Sequence, residues 1–180
     1  MIRSLILALV LVAPRIALAQ DFGDLGKKAL DVAAQEGQKA GKAELNKTIV
    51  KKLNARLLAE GRKNQCSFKT DSDELAPGCD AKAKKLANLL IDVKKTLTDA
   101  GLGGYRFVVS GHTDSSGDAA HNKELSQKRA AAIVRELVAR GVPQGEIEAV
   151  GMGAERLLVK PDNTDAKKAK NRRYEIQLKI

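Results

Sequence analysis

Residues 107–138 constrain the fold most, because they spell out a strand, a loop and a helix in that order. Phe107, Val108, Val109 and Ser110 form a short β-prone apolar run. Gly111 and Gly117 bracket a polar loop carrying His112, Thr113, Asp114, Ser115 and Ser116. Asp118 is placed to accept from the free N–H groups of the next turn as a helix cap. Ala130, Ile133, Val134, Leu137 and Val138 then recur at helical spacing as one apolar stripe. Gly141, with Pro143 beyond it, supplies the stop. The strand needs a sheet and the stripe needs a core, so the fold must mix both kinds of element.

Two features of this stretch look chemical. Asp114 sits where the chain leaves the strand, a position from which a loop can hold a ligand on a rigid scaffold. Asn122 and Arg129 are seven residues apart, which places them within about 20° of each other on the helix, on the flank of the apolar stripe. A flank beside a loop is where a groove forms, and this one offers a carboxylate, an amide and a guanidinium together. Taken alone, Asp114 reads as well as an Asx-turn bonded to its own loop, and Arg129 as a solvent-facing helix arginine. Catalysis is disfavoured: Ser110, His112 and Asp114 alternate along one short segment and stand in a row, without triad geometry. A metal site is disfavoured as well, since His112 and His121 are the only histidines and no carboxylate spacing matches a known pattern. No catalytic residue, metal or cofactor is expected.

The run Gly111-His-Thr-Asp-x-x-Gly117, followed by Asn122 and by Leu125-Ser-x-x-Arg129-Ala130, resembles the OmpA-like (OmpA/Pal/MotB) peptidoglycan-binding domain. Asn171-Arg-Arg-Tyr-Glu-Ile176 resembles the Asn-Arg-Arg-x-Glu segment that closes that domain, and Gly151-Met-Gly153 and Asn163-Thr164 match family positions between them. The resemblance covers about residues 64–180. It implies that Asp114 and Arg129 grip the zwitterionic end of diaminopimelate in the peptidoglycan stem peptide. It also implies that Thr113, Ser116, Asn122 and Arg172 line the same pocket. The chain departs from the family at Phe68-Lys69, where the family often carries Phe-Asp, and a lysine there bears on how the ligand's ammonium is received.

The stretch around Phe68 resembles the family's first strand and ligand-side loop. Pro77-Gly78 makes a turn, Asp80 can cap the next helix, and Leu86, Leu89, Leu90, Val93 and Leu97 give that helix its core face. Residues 147–152 read as a strand, 154–170 as a basic loop or short helix, and 174–180 as the last strand. The expectation is an α+β, two-layer sandwich of the βαβαββ type, a four-stranded mixed sheet covered by two main helices, with an N-terminal helical extension.

The first nineteen residues read as a secretory signal: Arg3, an apolar run over residues 4–13, and an Ala17-Leu-Ala19 cleavage site. The run is far short of the roughly 20 apolar residues of a membrane span, and no span is expected in the mature chain. In an exported chain the even count of Cys66 and Cys79 argues for a disulfide. Residues 20–63 form an extension rich in Ala, Gly, Lys and Gln. Leu45, Ile49, Leu53 and Leu57 recur at four-residue steps, so a helix is expected over about residues 43–60, and Leu25, Ala29, Val32 and Ala33 hint at an earlier one. Ala33, Gly37 and Gly41 read either as a glycine-weakened helix or hinge, or as a surface for pairing with a second copy or an envelope protein. Residues 64–180 are expected to fold alone.

The net charge of +10 favours acidic partners. Export and an aromatic content of 3%, without Trp, disfavour nucleic acid. The function expected is non-catalytic, non-covalent peptidoglycan binding in the periplasm of a Gram-negative-type envelope, with the outer membrane reached through a partner. The alternative is an envelope adaptor whose domain holds another protein and not the wall.

Overall fold

The structure, a computed structural model, describes residues 21–180. The expected leader, and the side chains of Leu25, Ala29, Val32 and Ala33, lie outside the described residues. The elements run α1 (Asp21–Lys63), α2 (Cys79–Asp99), β1 (Arg106–His112), α3 (Ala119–Val138), a 3-10 turn (Gln144–Glu146), β2 (Ile147–Gly151), α4 (Asp165–Asn171) and β3 (Arg173–Lys179). Helix α1 continues through Gly37 and Gly41, so the backbone forms one helix where a hinge or two helices were the expectation. The chain divides into two compact units between Glu44 and Leu45. No helix among the described residues is long and apolar enough to cross a membrane.

The second unit is a mixed sheet of strand order β2-β1-β3 with helices on one face. Strand β1 is central, parallel to β2 and antiparallel to β3. The parallel pair requires a crossover, and α3 supplies it. Phe107 and Val109 of β1 align with Ile147 and Ala149 on one side and with Leu178 and Ile176 on the other. That face joins one core with Leu86, Leu90, Val93 and Leu97 of α2 and with Ala130, Ile133 and Leu137 of α3. The opposite face is mainly polar, with ion pairs between Arg106 and Glu148 and between Arg173 and Glu175.

Both main helices stop where the glycines stand. Gly101 (φ 67°) closes α2 with bonds from Leu102 N–H to the Leu97 carbonyl and from its own N–H to Thr98. Gly141 (φ 98°) repeats the pattern after α3, with Val142 bonded to Leu137 and its own N–H to Val138. Asp118 caps α3 as expected, accepting from His121 N–H at 2.9 Å. Asp80 does not cap α2. That place falls to Gly78, with no side-chain bond, and Asp80 pairs with Arg140 at 2.6 Å.

The sheet has three strands, not the four expected. Phe68 makes only an isolated antiparallel bridge to Leu75, within a short loop that closes on itself through Lys69–Glu74 and Ala76–Ser67 backbone bonds. The physical reason lies at the free edge of β3, where a fourth strand would add. Asn54 of α1 donates to the Leu178 carbonyl (3.0 Å) and accepts from the Leu178 N–H (2.7 Å). Gln65 does the same for Tyr174, at 2.8 and 3.1 Å. Two side-chain amides occupy the Leu178 and Tyr174 edge groups that a strand would otherwise meet. The same region brings Leu53 and Leu57 of α1 into the core, so helix from the expected extension is packed into the domain.

Cys66 and Cys79 form a disulfide that ties the end of the segment after α1 to the start of α2. It closes a separation of 13 residues. Cys66→Ser with Cys79→Ser is expected to lower stability by about 3 kcal/mol on the chain-entropy argument. Denaturant melting of the double variant beside the wild type checks this, and coincident curves would count against it.

Candidate functional site

The Asp114 loop leaves the C-terminal end of the central strand and is fixed from three directions. Its floor is stitched to the sheet by Thr113 N–H on the Gly153 carbonyl (2.9 Å) and Met152 N–H on the Gly111 carbonyl (2.8 Å). Helix α3 lies so close to these strands that side chains have no room. A Cβ on Gly111 would fall 2.2 Å from the Ser126 carbonyl oxygen, and one on Gly151 would fall 2.6 Å from the Gln127 nitrogen. That contact explains why glycines, with Ser126 between them, recur in the motifs. The Ser126 hydroxyl accepts from Gly153 N–H at 2.8 Å.

The second fixing point is a buried amide and carboxylate pair. Asn171, with no exposed surface, accepts from Leu158 and Val159 N–H and donates to Val159 and to Asp162. Asp162 in turn accepts from Ser115 N–H (2.9 Å) and the Ser115 hydroxyl (2.5 Å). The hydroxyl and backbone bonds from Ser115, with Asn171, pull the Asp162 carboxyl down to about 2. The third fixing point is Asn122, whose side chain donates to the Ser116 carbonyl at 2.7 Å. Asp162 and Ser115 were not anticipated. An aspartate between Pro161 and Asn163 carries no local pattern that distinguishes it from a turn residue.

Asp114 itself is 8% exposed. One carboxylate oxygen accepts from Ser116 N–H at 3.0 Å, so the Asx-turn reading holds, and the other pairs with Arg172 at 2.7 Å. Partial burial works against its charge, but the bonds from Arg172 and Ser116 prevail and hold the carboxyl below its ordinary value. An ionised carboxylate has about four acceptor sites, so Asp114 keeps acceptor capacity for a ligand.

Arg129 does not point into solvent. It is half-buried, with its guanidinium carbon 5.2 Å from the centre of the Phe68 ring, its Nε donating to the Ser72 carbonyl (2.8 Å) and Nη2 to Lys69 (3.4 Å). These bonds take the inner side of the guanidinium and leave the terminal Nη1 and Nη2 hydrogens as a two-pronged donor. Asp71, Asp114 and Asp73 lie within electrostatic reach of it.

A groove of about 1110 Å³ opens beside these groups. Arg129 and Arg172 line it directly, together with Phe68, Lys69, Asp71 and His112. Thr113, Asp114, Ser116 and Asn122 are not on its walls; Asp114 meets the groove through its bond to Arg172. They lie in or under the loop, and Asn122 acts by holding it. Lys69 is turned into an ion pair with Glu74, which offsets much of the charge it brings to the departure from Phe-Asp. Arg173 lines the groove too, but it is tied to Glu175 (2.8 Å) and two backbone carbonyls. Among the described residues no cluster of His, Cys, Asp or Glu could hold a metal ion.

His112 is 3% exposed, and burial followed by the Arg173 charge lowers it to about 4. The Ser110 hydroxyl donates to the Glu175 carbonyl (3.4 Å), so it accepts from His112 Nε2–H (3.2 Å), and among the described residues Nδ1 has no partner. The unfolded chain takes up this proton first, near 6.5. The stability His112 contributes is therefore complete above that pH and is lost as pH falls through about 4, a change of at most about 3 kcal/mol. Stability measured by denaturant between pH 7 and pH 4 is expected to drop accordingly. His112→Gln should flatten that part of the profile, and an unchanged slope in the variant would reject the assignment.

Comparison with known proteins agrees with the fold. Residues 67–172 match the OmpA family model. The chain is 42% identical over 80 residues to outer membrane protein A of Klebsiella pneumoniae, covering 40% of this chain and 23% of that protein. It is 34% identical over 110 residues to the peptidoglycan-associated lipoprotein of Pseudomonas putida, covering 61% and 60%. The chain thus spans less than two thirds of the length of these curated relatives. Among solved structures, the peptidoglycan-associated lipoprotein from Burkholderia pseudomallei aligns at 27% identity and a TM-score of 0.50, over 64% of this chain and 87% of that one. The C-terminal domain of Helicobacter pylori MotB aligns at 19% identity and a TM-score of 0.54, over 64% and 84%, and shares the fold. With more than half of its length matched by the family model, the chain belongs to the OmpA family.

Proposed function

We propose that residues 45–180 bind peptidoglycan, without catalysis, through the zwitterionic end of diaminopimelate in the stem peptide. The observation that carries this reading is an ionised carboxylate and an unspent guanidinium within electrostatic reach of each other, Arg129 on the groove wall and Asp114 bonded to Arg172, which also lines it. Asp114 is held ionised by Ser116 and Arg172, and Arg129 is clamped with two outer donors unspent. The ligand's ammonium takes the remaining acceptor sites of Asp114, and its carboxylate takes the Arg129 fork. Arg172 can then share that carboxylate, which offsets the approach of two cations to Asp114. Thr113, Ser116 and Asn122 serve by fixing the loop. The family, and the relatives named peptidoglycan-associated lipoproteins, support the same ligand class.

With the expected leader, this places the protein in the periplasm of a Gram-negative-type envelope, near the outer membrane through a partner. Each site would be weak, and pairing of copies through residues 21–63 would convert weak sites into avidity on a repeating polymer. Sedimentation with purified sacculi tests the reading. The wild type should pellet, and Asp114→Asn should stay largely in solution. Equal pelleting of both would remove the Asp114 groove from the account. A wild type that ignores sacculi would favour the adaptor alternative.

A further inference from the structure

The groove is larger than the proposed clamp needs. At about 1110 Å³ it is at or above the roughly 300–1,000 Å³ of pockets that enclose drug-sized ligands, whereas Asp114 and Arg129 would hold only one carbon with its ammonium and carboxylate. Its walls are also unbalanced in charge. Arg62, Lys69, Arg129, Lys170, Arg172 and Arg173 line it, against Asp71 alone among carboxylates. Three of these cations are already paired with carboxylates: Lys69 with Glu74, Arg172 with Asp114, and Arg173 with Glu175. Arg129 is docked on carbonyls. Arg62 and Lys170 make no ion pair among the described residues, although both line the groove and both are exposed.

Arg62 stands in the last turn of α1 and Lys170 in the last turn of α4. A cation is favoured at either place by the helix dipole, so position alone says little. What points to a ligand is that two independent helix ends present unspent cations to the groove that also holds Arg129. Leu158, Val159 and Ala169 line it as well and offer an apolar wall. Leu158 is 47% exposed there.

We infer that Arg62 and Lys170 form a second anion subsite that takes another carboxylate of the same stem peptide, so that the groove reads a charged peptide and not only one amino-acid end. This rests on the diaminopimelate reading above. Beyond the gripped end, a stem ending in D-alanine offers two such carboxylates, the α-carboxylate of the γ-linked D-glutamate before diaminopimelate and the terminal carboxylate of the D-alanine after it; in the tripeptide the terminal one is diaminopimelate's own second carboxylate. Both are the same chemistry, and amidation of one or the other distinguishes them.

The experiment is calorimetry on the full chain at low and moderate salt. The probes are free diaminopimelate, the L-Ala-γ-D-Glu-diaminopimelate tripeptide, the tetrapeptide ending in D-Ala, and each peptide with one of the two carboxyls amidated. Arg62→Gln with Lys170→Gln should bind the peptide bearing the recognised carboxylate about tenfold more weakly, with an effect that shrinks as salt rises. Its affinity for free diaminopimelate should stay at the wild-type value. Amidating the recognised carboxyl should weaken the wild type by the same factor and leave the double variant unchanged. Equal peptide affinity in the double variant and the wild type would overturn the subsite while leaving the clamp standing. Equal losses for peptide and free diaminopimelate would overturn it too. If free diaminopimelate and every peptide fail to bind the wild type, the clamp and the subsite fall together.

Discussion

Arg129→Ala is expected to weaken binding of a diaminopimelate-containing stem peptide by about ten- to a hundred-fold, the loss of one charge-assisted pair worth about 1.5–3 kcal/mol. Arg129→Lys should recover little of it. An ammonium cannot make the two-pronged contact, and it cannot keep the Ser72 and Lys69 carbonyls while stacking on Phe68. Asp114→Asn should show a comparable loss, and it separates charge from shape. Its remaining oxygen can still accept from Ser116 N–H, so the loop keeps its turn while the ligand's ammonium loses its partner. Asp114→Ala removes both, and should lower thermal stability as well as affinity. The Asp114→Asn, Arg129→Ala double variant should cost less than the sum of the singles, because both groups hold one small ligand. Calorimetry with thermal melts on the same samples checks each point. Near-wild-type affinity in both single variants would remove the clamp.

The parts of the fold that were legible in the sequence are those written in local periodicity and turn chemistry. The β1–loop–α3 unit, the Asp118 cap, the stop at Gly141, and strand β2 to within one residue all belong to this class. Each depends on residues a few positions apart. What was not legible depends on distant partners. Phe68 carries β propensity, but whether it pairs is decided by Asn54 and Gln65, which reach the β3 edge from elsewhere in the chain. Leu45, Ile49, Leu53 and Leu57 announce an apolar helix face without saying which surface it meets; Leu53 and Leu57 meet the domain core, and Leu45 is 59% exposed. In the site, the motif located Asp114, Arg129, Asn122 and Arg172. It could not tell that Arg172 pairs with Asp114, or that Asp162 and Asn171 hold the loop from beneath. Those are bonds between side chains 9 to 58 residues apart, and a single sequence carries no spacing rule for them.

Removing residues 1–63 is expected to cost the domain most of its stability, whereas removing residues 1–44 should cost little. The compact unit begins at Leu45, and the shorter fragment cuts into it. Leu57 is 1% exposed and Leu53 8%, both within the core cluster. Emptying either place costs about 2–5 kcal/mol when the side chain alone is cut to Ala, and the whole helix surface leaves here. Loss of Asn54 frees the Leu178 N–H and carbonyl, two bonds at about 0.5–1.5 kcal/mol each, and opens the β3 edge to pairing between molecules. Against a typical total of about 5–15 kcal/mol, these losses leave little. Fragment 45–180 should therefore melt cooperatively close to the full chain, and fragment 64–180 should show no cooperative transition or should aggregate. Two point variants resolve the cause: Leu57→Ala should lower stability through the core, and Asn54→Ala more modestly through the edge. A fragment 64–180 that melts at the same temperature as 45–180 would show that the sheet and its two covering helices suffice, and that the end of α1 is an addition to the fold and not part of its core.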